Sequence, residues 1–331
     1  MTCAEVLASA RSVRALVIGD ICLDRWCRYD PALAEPSRET AIPRCAVRES
    51  TCTPGAGGTV AGNLAELGAG RVSVLGAVGA DGAGVELRRA LSRASIESDL
   101  LVESPQIQTF TYNKLINCET GVEDLPRVDF VNTEPLPAPA ERAVVDRLEE
   151  CLQEFNAIIV ADQAETVHGG TVTAAVREAV CRSAGARGGA AYVADSRRRL
   201  EHFRGVIATP NESEAAAACR RQFGELDFGR LHRTIGGAAL VVTDGKRGAR
   251  LIDCGGERLL PAPEVAGPVD PCGAGDSLTA GLALALAAGA RTEEALRFGT
   301  IVAGVTVGKP GTGKATPGEV LALAATMGRS I

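Results

Sequence analysis

Asp270-Pro271-Cys272-Gly273-Ala274-Gly275-Asp276 runs straight into an almost wholly apolar stretch that continues to Ala290. An unbroken apolar stretch of that length predicts a buried helix over 276–290. At such a helix start the backbone N–H groups of Gly273, Ala274 and Gly275 are expected to be free and to make an anion site. Glycine lets a phosphate approach the backbone closely. Asp276, in the first turn beside that site, could take a proton from an incoming hydroxyl. It could equally serve as a helix cap, since Asp is common there. The seven residues alone leave both readings open.

Outward from this point, short aliphatic runs alternate with helical patterns. Strands are expected at 13–19, 72–77, 157–161, 190–194, 206–208 and 240–243, and helices at 57–67, 82–93 and 292–307. Thr316-Pro-Gly-Glu319 is a capping box that opens a last helix to about 327. This alternation calls for an α/β protein with a mostly parallel, doubly wound sheet covered by helices on both faces. Ligands in that architecture bind at the carboxyl ends of the strands. Two stretches break the rhythm, 21–54 and about 106–135. They read as extra antiparallel strands set apart from the main sheet, together one discontinuous lid. No linker or internal repeat divides the chain, so 1–331 reads as one domain.

Composition excludes other classes. The 331 residues are 46% hydrophobic and 23% charged, which allows a large core and argues against disorder. A net charge of −6 without a basic, aromatic-laced patch argues against nucleic acid as a partner. No apolar run is long enough to span a membrane, and the first residues lack the pattern of a signal peptide. Eleven cysteines, without a CxxC pair, suggest small buried residues in a reducing compartment. A cytoplasmic protein is expected.

Five motifs, in order along the chain, resemble those of the ribokinase-like (PfkB) family of sugar kinases. They are the glycine-rich stretch Gly55-Ala-Gly57-Gly58-Thr59 continuing to Gly68, the run Gly76 to Gly84, Pro210-Asn211-Glu212-Ser-Glu214, Val242-Thr243-Asp-Gly245-Lys-Arg-Gly248, and Asp270 to Asp276. The resemblance implies a three-layer α/β/α ribokinase-like fold and an ATP-dependent sugar kinase. It implies that Asp276 is the catalytic base and that Gly273, Ala274 and Gly275 form the anion hole. Asp24, Gly55, Gly57, Gly58 and Thr59 would bind the sugar. Asn211, Glu214, Thr243, Gly245 and Gly248 would lie at the nucleotide, with Mg2+ reached through water from Asn211 and Glu214. Asp270 would help hold a monovalent cation, K+. Relatives of this kind often form homodimers through the lid, and the same is expected here.

Within the family, the heptose 7-phosphate kinases of lipopolysaccharide precursor synthesis are most similar. Gly19-Asp20-Ile-Cys-Leu-Asp24-Arg-Trp26, Arg127-Val-Asp129 and Gly308-Lys309-Pro-Gly-Thr carry that likeness. The departures lie on the sugar side. Thr59 stands where an Asn is usual, Asp162-Gln163 replaces an Asp-Tyr pair whose following Lys-Gly is missing, and the 30–40 segment differs. A kinase of another small alcohol (a ketohexose, ribose or a nucleoside) and an inactive sugar-sensing homologue are the alternatives.

Lys114, Arg127 and Arg38 are candidates to hold a substrate phosphate, or else form a solvated charged face. His168, His202 and His232 share no metal-ligand spacing. Cys272 reads as a small turn residue. Gly308 to Ala315 nearly fits a Walker A loop, but it lacks the hydroxyl after Lys314 and follows a helical stretch rather than a strand.

Overall fold

In the computed structural model, which describes residues 1–166, 168–186 and 188–327, the aliphatic runs form the middle of an eight-stranded sheet. Arg14–Gly19 and Ala157–Asp162 lie side by side in parallel register, Ala15 opposite Ala157 and Gly19 opposite Ala161. Arg71–Leu75 pairs on one side, and Ala191–Ser196, Ile207–Ala208 and Leu240–Thr243 continue on the other, all parallel. The strands are apolar at consecutive positions because both faces are covered. Ala15, Val17, Ile159, Val193 and Val241 enter one core with the helices Gly57–Glu66, Ala274–Ala287, Thr292–Thr306 and Pro317–Met327. Leu16, Ile18, Ile158, Val160 and Val242 enter the other with Ala138–Cys151, Ala174–Ala186, Glu212–Phe223 and Phe228–Ile235. The α/β/α layering is as expected. No helix among the described residues is long and apolar enough to cross a membrane.

Two antiparallel strands, Ala249–Asp253 and Gly256–Leu260, extend the far edge of the sheet. The sequence reading missed them, because charged residues interrupt them and their turn is only two residues long. Near the C-terminus the capping box is present: Thr316 N–H donates to Glu319 Oε2 at 2.9 Å and Glu319 N–H returns to Thr316 Oγ1 at 3.4 Å. Helices Ala274–Ala287 and Thr292–Thr306 meet at two glycines. A Cβ on Gly299 would sit 2.6 Å from the Leu278 carbonyl oxygen, and one on Gly281 2.9 Å from the Gly299 Cα.

The segments that break the rhythm build a separate four-stranded sheet in the order Val47–Ala56, Ile21–Tyr29, Thr111–Asn117, Val128–Phe130. The expectation of antiparallel strands throughout is corrected here: the two central strands, Ile21–Tyr29 and Thr111–Asn117, are parallel. Both leave the main body in the same direction, and each outer strand is the antiparallel return of its neighbour. The four chain crossings between body and small sheet are stitched in pairs. Asp20 alone separates Gly19 from Ile21, and its carbonyl accepts the Gly57 N–H at 2.9 Å where the chain comes back. At the other pair Gln108 N–H donates to Asn132 Oδ1 at 3.1 Å, and Asn132 Nδ2 donates to the Gln108 carbonyl at 2.8 Å.

Candidate active site

Gly273 has φ +75°, in the left-handed region that favours glycine, and it caps the helix Ala274–Ala287. A Cβ there would approach Thr312 Cγ2 to 3.3 Å and Thr59 Cγ2 to 3.5 Å. One expectation is corrected. The Ala274 N–H is not free, because the turn closes on itself and this N–H donates to the Pro271 carbonyl at 3.1 Å. The amides of Gly273, Gly275 and Asp276 have no hydrogen-bond acceptor among the described residues. They leave an anion-binding turn at a helix N-terminus, where the macrodipole adds positive potential. Asp270 holds this turn against the 308–314 loop: its carboxylate accepts the Cys272 N–H at 2.9 Å and the Gly311 N–H at 2.8 Å. Those donors keep its carboxyl below the usual range.

Asp276 lies half-buried in the first turn after the anion turn. Burial is the main force pushing its pKa up to about 7, Asp24 and Glu214 add to it, and Arg197 opposes it. A carboxylate so tuned is well placed to accept a proton near neutral pH.

The small sheet supplies the opposite wall. Asp24 pairs with Tyr112 and Trp26 with Lys114, and the two-residue period puts all four on one face. Lys114 Nζ stands 4.2 Å from the Trp26 ring centroid and 3.8 Å from Cys272 Sγ. Trp26 packs on Gly311, where a Cβ would come within 3.0 Å of the indole. Asp24 is buried, which raises its pKa against the pull of Lys114 and Arg127. Gly55 makes room for it, because a Cβ there would fall 2.4 Å from Asp24 Oδ1.

Gly57 and Gly58 are buried packing positions: their Cβ atoms would strike Ile21 at 2.8 Å and Pro54 at 2.5 Å. Thr59 is buried with its hydroxyl unpartnered, and Asn63 Oδ1 one turn on is likewise without a donor. Arg127 is exposed, bound to Asp129 at 2.8 Å and stacked 5.1 Å from the Tyr112 centroid. Arg38 is exposed in the loop closed by the Pro36–Pro43 pairing, apart from the other candidates.

Beyond the anion turn, Asn211 caps the helix Glu212–Phe223. Its Oδ1 accepts the Glu214 N–H at 2.9 Å, and Glu214 Oε2 accepts the Asn211 N–H at 2.9 Å. Burial raises the Glu214 carboxyl's pKa, against the pull of its hydrogen bonds from Asn211. Thr243 bridges to Asn211 and closes onto the Pro210 carbonyl at 2.9 Å. Gly248, at φ +105°, lies so close to the Leu260 carbonyl that a Cβ would meet it at 2.1 Å, whereas Gly245 faces open space.

The 308–314 loop follows a helix, so it does not form a strand-led phosphate loop. His168 and His202 are exposed and His232 contacts the Gly237 carbonyl at 3.1 Å. No three His, Cys, Asp or Glu side chains among the described residues gather as a direct metal site.

Four residues behind the site, Asp20, Gln163, Asp195 and Arg197, were assigned no role by the sequence reading, although Asp20 and Gln163 stood in the motifs it quoted. Gln163 Nε2 donates to Asp195 Oδ2 at 2.8 Å and stands 3.5 Å from Asp276 Oδ1. Arg197 is paired with Glu165 at 2.7 Å and lends positive potential to both Asp195 and Asp276. Asp20, almost fully buried, accepts the N–H groups of Gln163, Ala164 and Thr171 at 2.9, 2.8 and 2.7 Å. Their signal was only a polar residue at the carboxyl end of a buried strand. A cavity of about 790 Å³ lies elsewhere, on the Arg25 side of the small sheet between Asp81, Gln106 and Phe130. Asp276, the anion turn, Asp24 and Lys114 do not line it, so chemistry rather than volume locates the site.

The sequence profile of the pfkB family carbohydrate kinases matches residues 15–318. The chain belongs to that family. It is a carbohydrate kinase, a phosphotransferase that uses ATP and acts on a sugar hydroxyl. Among curated relatives, the bifunctional protein HldE of Nitrobacter hamburgensis is 32% identical over 311 residues, covering 92% of this chain and 62% of that protein. The bifunctional protein HldE of Geotalea uraniireducens is 32% identical over 326 residues, covering 96% and 64%. The chain therefore spans less than two thirds of the length of these relatives. Among solved structures, Thermotoga maritima ribokinase superposes with a TM-score of 0.69 at 20% identity, covering 95% of this chain and 99% of that one. Escherichia coli phosphofructokinase-2 in complex with fructose-6-phosphate gives 0.69 at 20% identity, covering 96% and 100%. These two show a shared ribokinase-like fold.

Proposed function

We propose that this carbohydrate kinase phosphorylates a heptose 7-phosphate, most plainly D-glycero-D-manno-heptose 7-phosphate, at the anomeric hydroxyl. The observation that carries the reading is the opposition of Asp276, beside the free amides of the anion turn, to Asp24 on the inner face of the small sheet, in a chain 32% identical to HldE proteins. Asp24 accepts hydroxyl groups of the sugar, with Gly55 and Thr59 shaping the pocket. Lys114 and Arg127 offer cations to the phosphate the substrate already carries. Asp276 takes the proton of the attacking hydroxyl as its oxygen bonds to the γ-phosphorus and the bond to the β-phosphate oxygen breaks. The amides of Gly273 and Gly275 receive the charge on the transferred group.

The nucleotide lies along Asn211, Thr243, Gly245 and Gly248. Magnesium would neutralise phosphate charge; the Glu214 carboxylate, with Asn211, suits a hard cation held through water. Asp270 would supply a ligand to a potassium ion, since each carboxylate oxygen keeps a lone pair beyond the one that accepts an N–H. The small sheet acts as a lid that excludes water. The eleven cysteines, all unpaired, suit a reducing cytoplasm.

A screen of ADP release tests the substrate. D-glycero-D-manno-heptose 7-phosphate should be turned over far better than fructose 6-phosphate, ribose or adenosine. Release only with one of the latter would move the reading to that acceptor. A rise in Tm with heptose 7-phosphate and no ADP from any acceptor would instead indicate a sugar sensor.

A further inference from the structure

Gln163 joins two carboxylates of the site. It is 6% exposed, so its amide depends on protein partners rather than water. The side chain starts from a fixed point. Its own N–H and those of Ala164 and Thr171 converge on the buried Asp20 carboxylate. The preceding residue, Asp162, is fully buried and clamped by Arg199 and by Ser196 Oγ at 2.6 Å. From this anchor Gln163 Nε2 reaches Asp195 Oδ2 at 2.8 Å and points to Asp276 Oδ1 at 3.5 Å. The second distance is long for a hydrogen bond, as is common for catalytic contacts before substrate closes the site. Asp276 Oδ2 has no donor among the described residues, so it is the oxygen open to a hydroxyl.

We propose that Gln163 is a positioning residue for the proposed proton transfer: its amide, anchored on Asp195, holds Asp276 Oδ1 and leaves Oδ2 to face the acceptor. The assignment rests on Asp276 being the base. The charged groups around Asp276 come from every neighbouring element: Asp24 from the small sheet, Asp195 and Arg197 from the strand Ala191–Ser196 and the loop after it, and Glu214 from the helix Glu212–Phe223. Gln163 is the neutral donor among them, which allows its role to be separated from theirs. A donor to the ionised carboxylate favours that form, so losing it raises the pH at which Asp276 ionises.

The test uses the full chain with Gln163→Met, which keeps side-chain length and shape but removes the donor, and Gln163→Glu, which replaces it with a charge. Carboxyl 13C shifts of Asp-labelled protein, assigned to Asp276 by comparison with Asp276→Asn, give its titration without any substrate. Gln163→Met should move that midpoint upward by about half a unit or more, and Gln163→Glu further still. With ATP and D-glycero-D-manno-heptose 7-phosphate, kcat of Gln163→Met should fall tenfold or more with the KM for ATP within twofold. An unmoved Asp276 midpoint in Gln163→Met, with its Tm near wild type, would overturn the assignment. If Gln163→Met does not fold, an unmoved midpoint in Gln163→Glu overturns it equally. The base reading fails separately, through near-normal turnover in Asp276→Asn.

Discussion

Asp276 owes the pKa that the proposed proton transfer needs to a burial that costs the fold stability. Its pKa is raised from the ordinary carboxylate value to about 7, so at neutral pH the site holds a mixture of acid and base forms. Turnover should therefore fall as pH drops below about 7, which a kcat profile from pH 5 to 9 will show. Asp276→Asn should bind ATP and lose at least about a hundredfold in kcat, since a positioned base is worth roughly 10²–10⁴. The same substitution should stabilise the fold. In the unfolded chain Asp276 ionises near its ordinary value, while in the folded protein it stays protonated until about 7. Between those values the native state binds the extra proton, and stability falls as pH rises. The gain from Asp276→Asn should be absent below about pH 4, grow up to about pH 7 and stay level above it. Urea unfolding at pH 4.5 and pH 8 measures this, and an equal gain at both would show that Asp276 is not so perturbed.

At the scale of elements, the helix that carries Asp276 is set in place by its neighbour. Gly281 and Gly299 bring Ala274–Ala287 and Thr292–Thr306 into near backbone contact. Gly299→Ala would gain about 1 kcal/mol of helix propensity, but its Cβ meets a carbonyl oxygen that cannot move aside. A net loss of about 1–3 kcal/mol in urea unfolding is expected, with kcat reduced as the anion turn shifts. The turn and helix start at 270–276 were legible because these residues are contiguous, and a local motif carries its own geometry. Gln163, Asp195 and Arg197 were not, since each is a single polar residue whose neighbours are decided by the order of strands in the sheet. The parallel pairing at the centre of the small sheet was hidden for the same reason: chain direction there depends on where each segment leaves the body. Ala274 shows a smaller limit. A glycine-rich turn can be recognised from sequence, but which of its amides it uses internally cannot.

At the scale of the whole molecule, the small sheet carries much of the exposed apolar surface. Leu33, Ile42, Val47, Val122, Leu125, Val128 and Phe130 are exposed on it or its loops, apolar surface that association would bury. Two copies should pair through this sheet. Sedimentation at micromolar concentration should give twice 34.1 kDa, and Phe130→Glu with Val128→Glu should give the single chain. A wild-type monomer, or a dimer indifferent to both substitutions, would refute the assignment. The stitching of the four chain crossings has a mechanical meaning. A sheet is stiff along its paired strands, and this one is tied to the body by the 2.6 Å Arg25–Glu86 ion pair as well as by two fastenings at the crossings. One fastening is the Asp20–Gly57 contact and the other the Gln108–Asn132 pair. Because Asp24 and Lys114 sit on adjacent paired strands of one sheet, any displacement of that sheet relative to the body would carry both together and leave their spacing to each other unchanged.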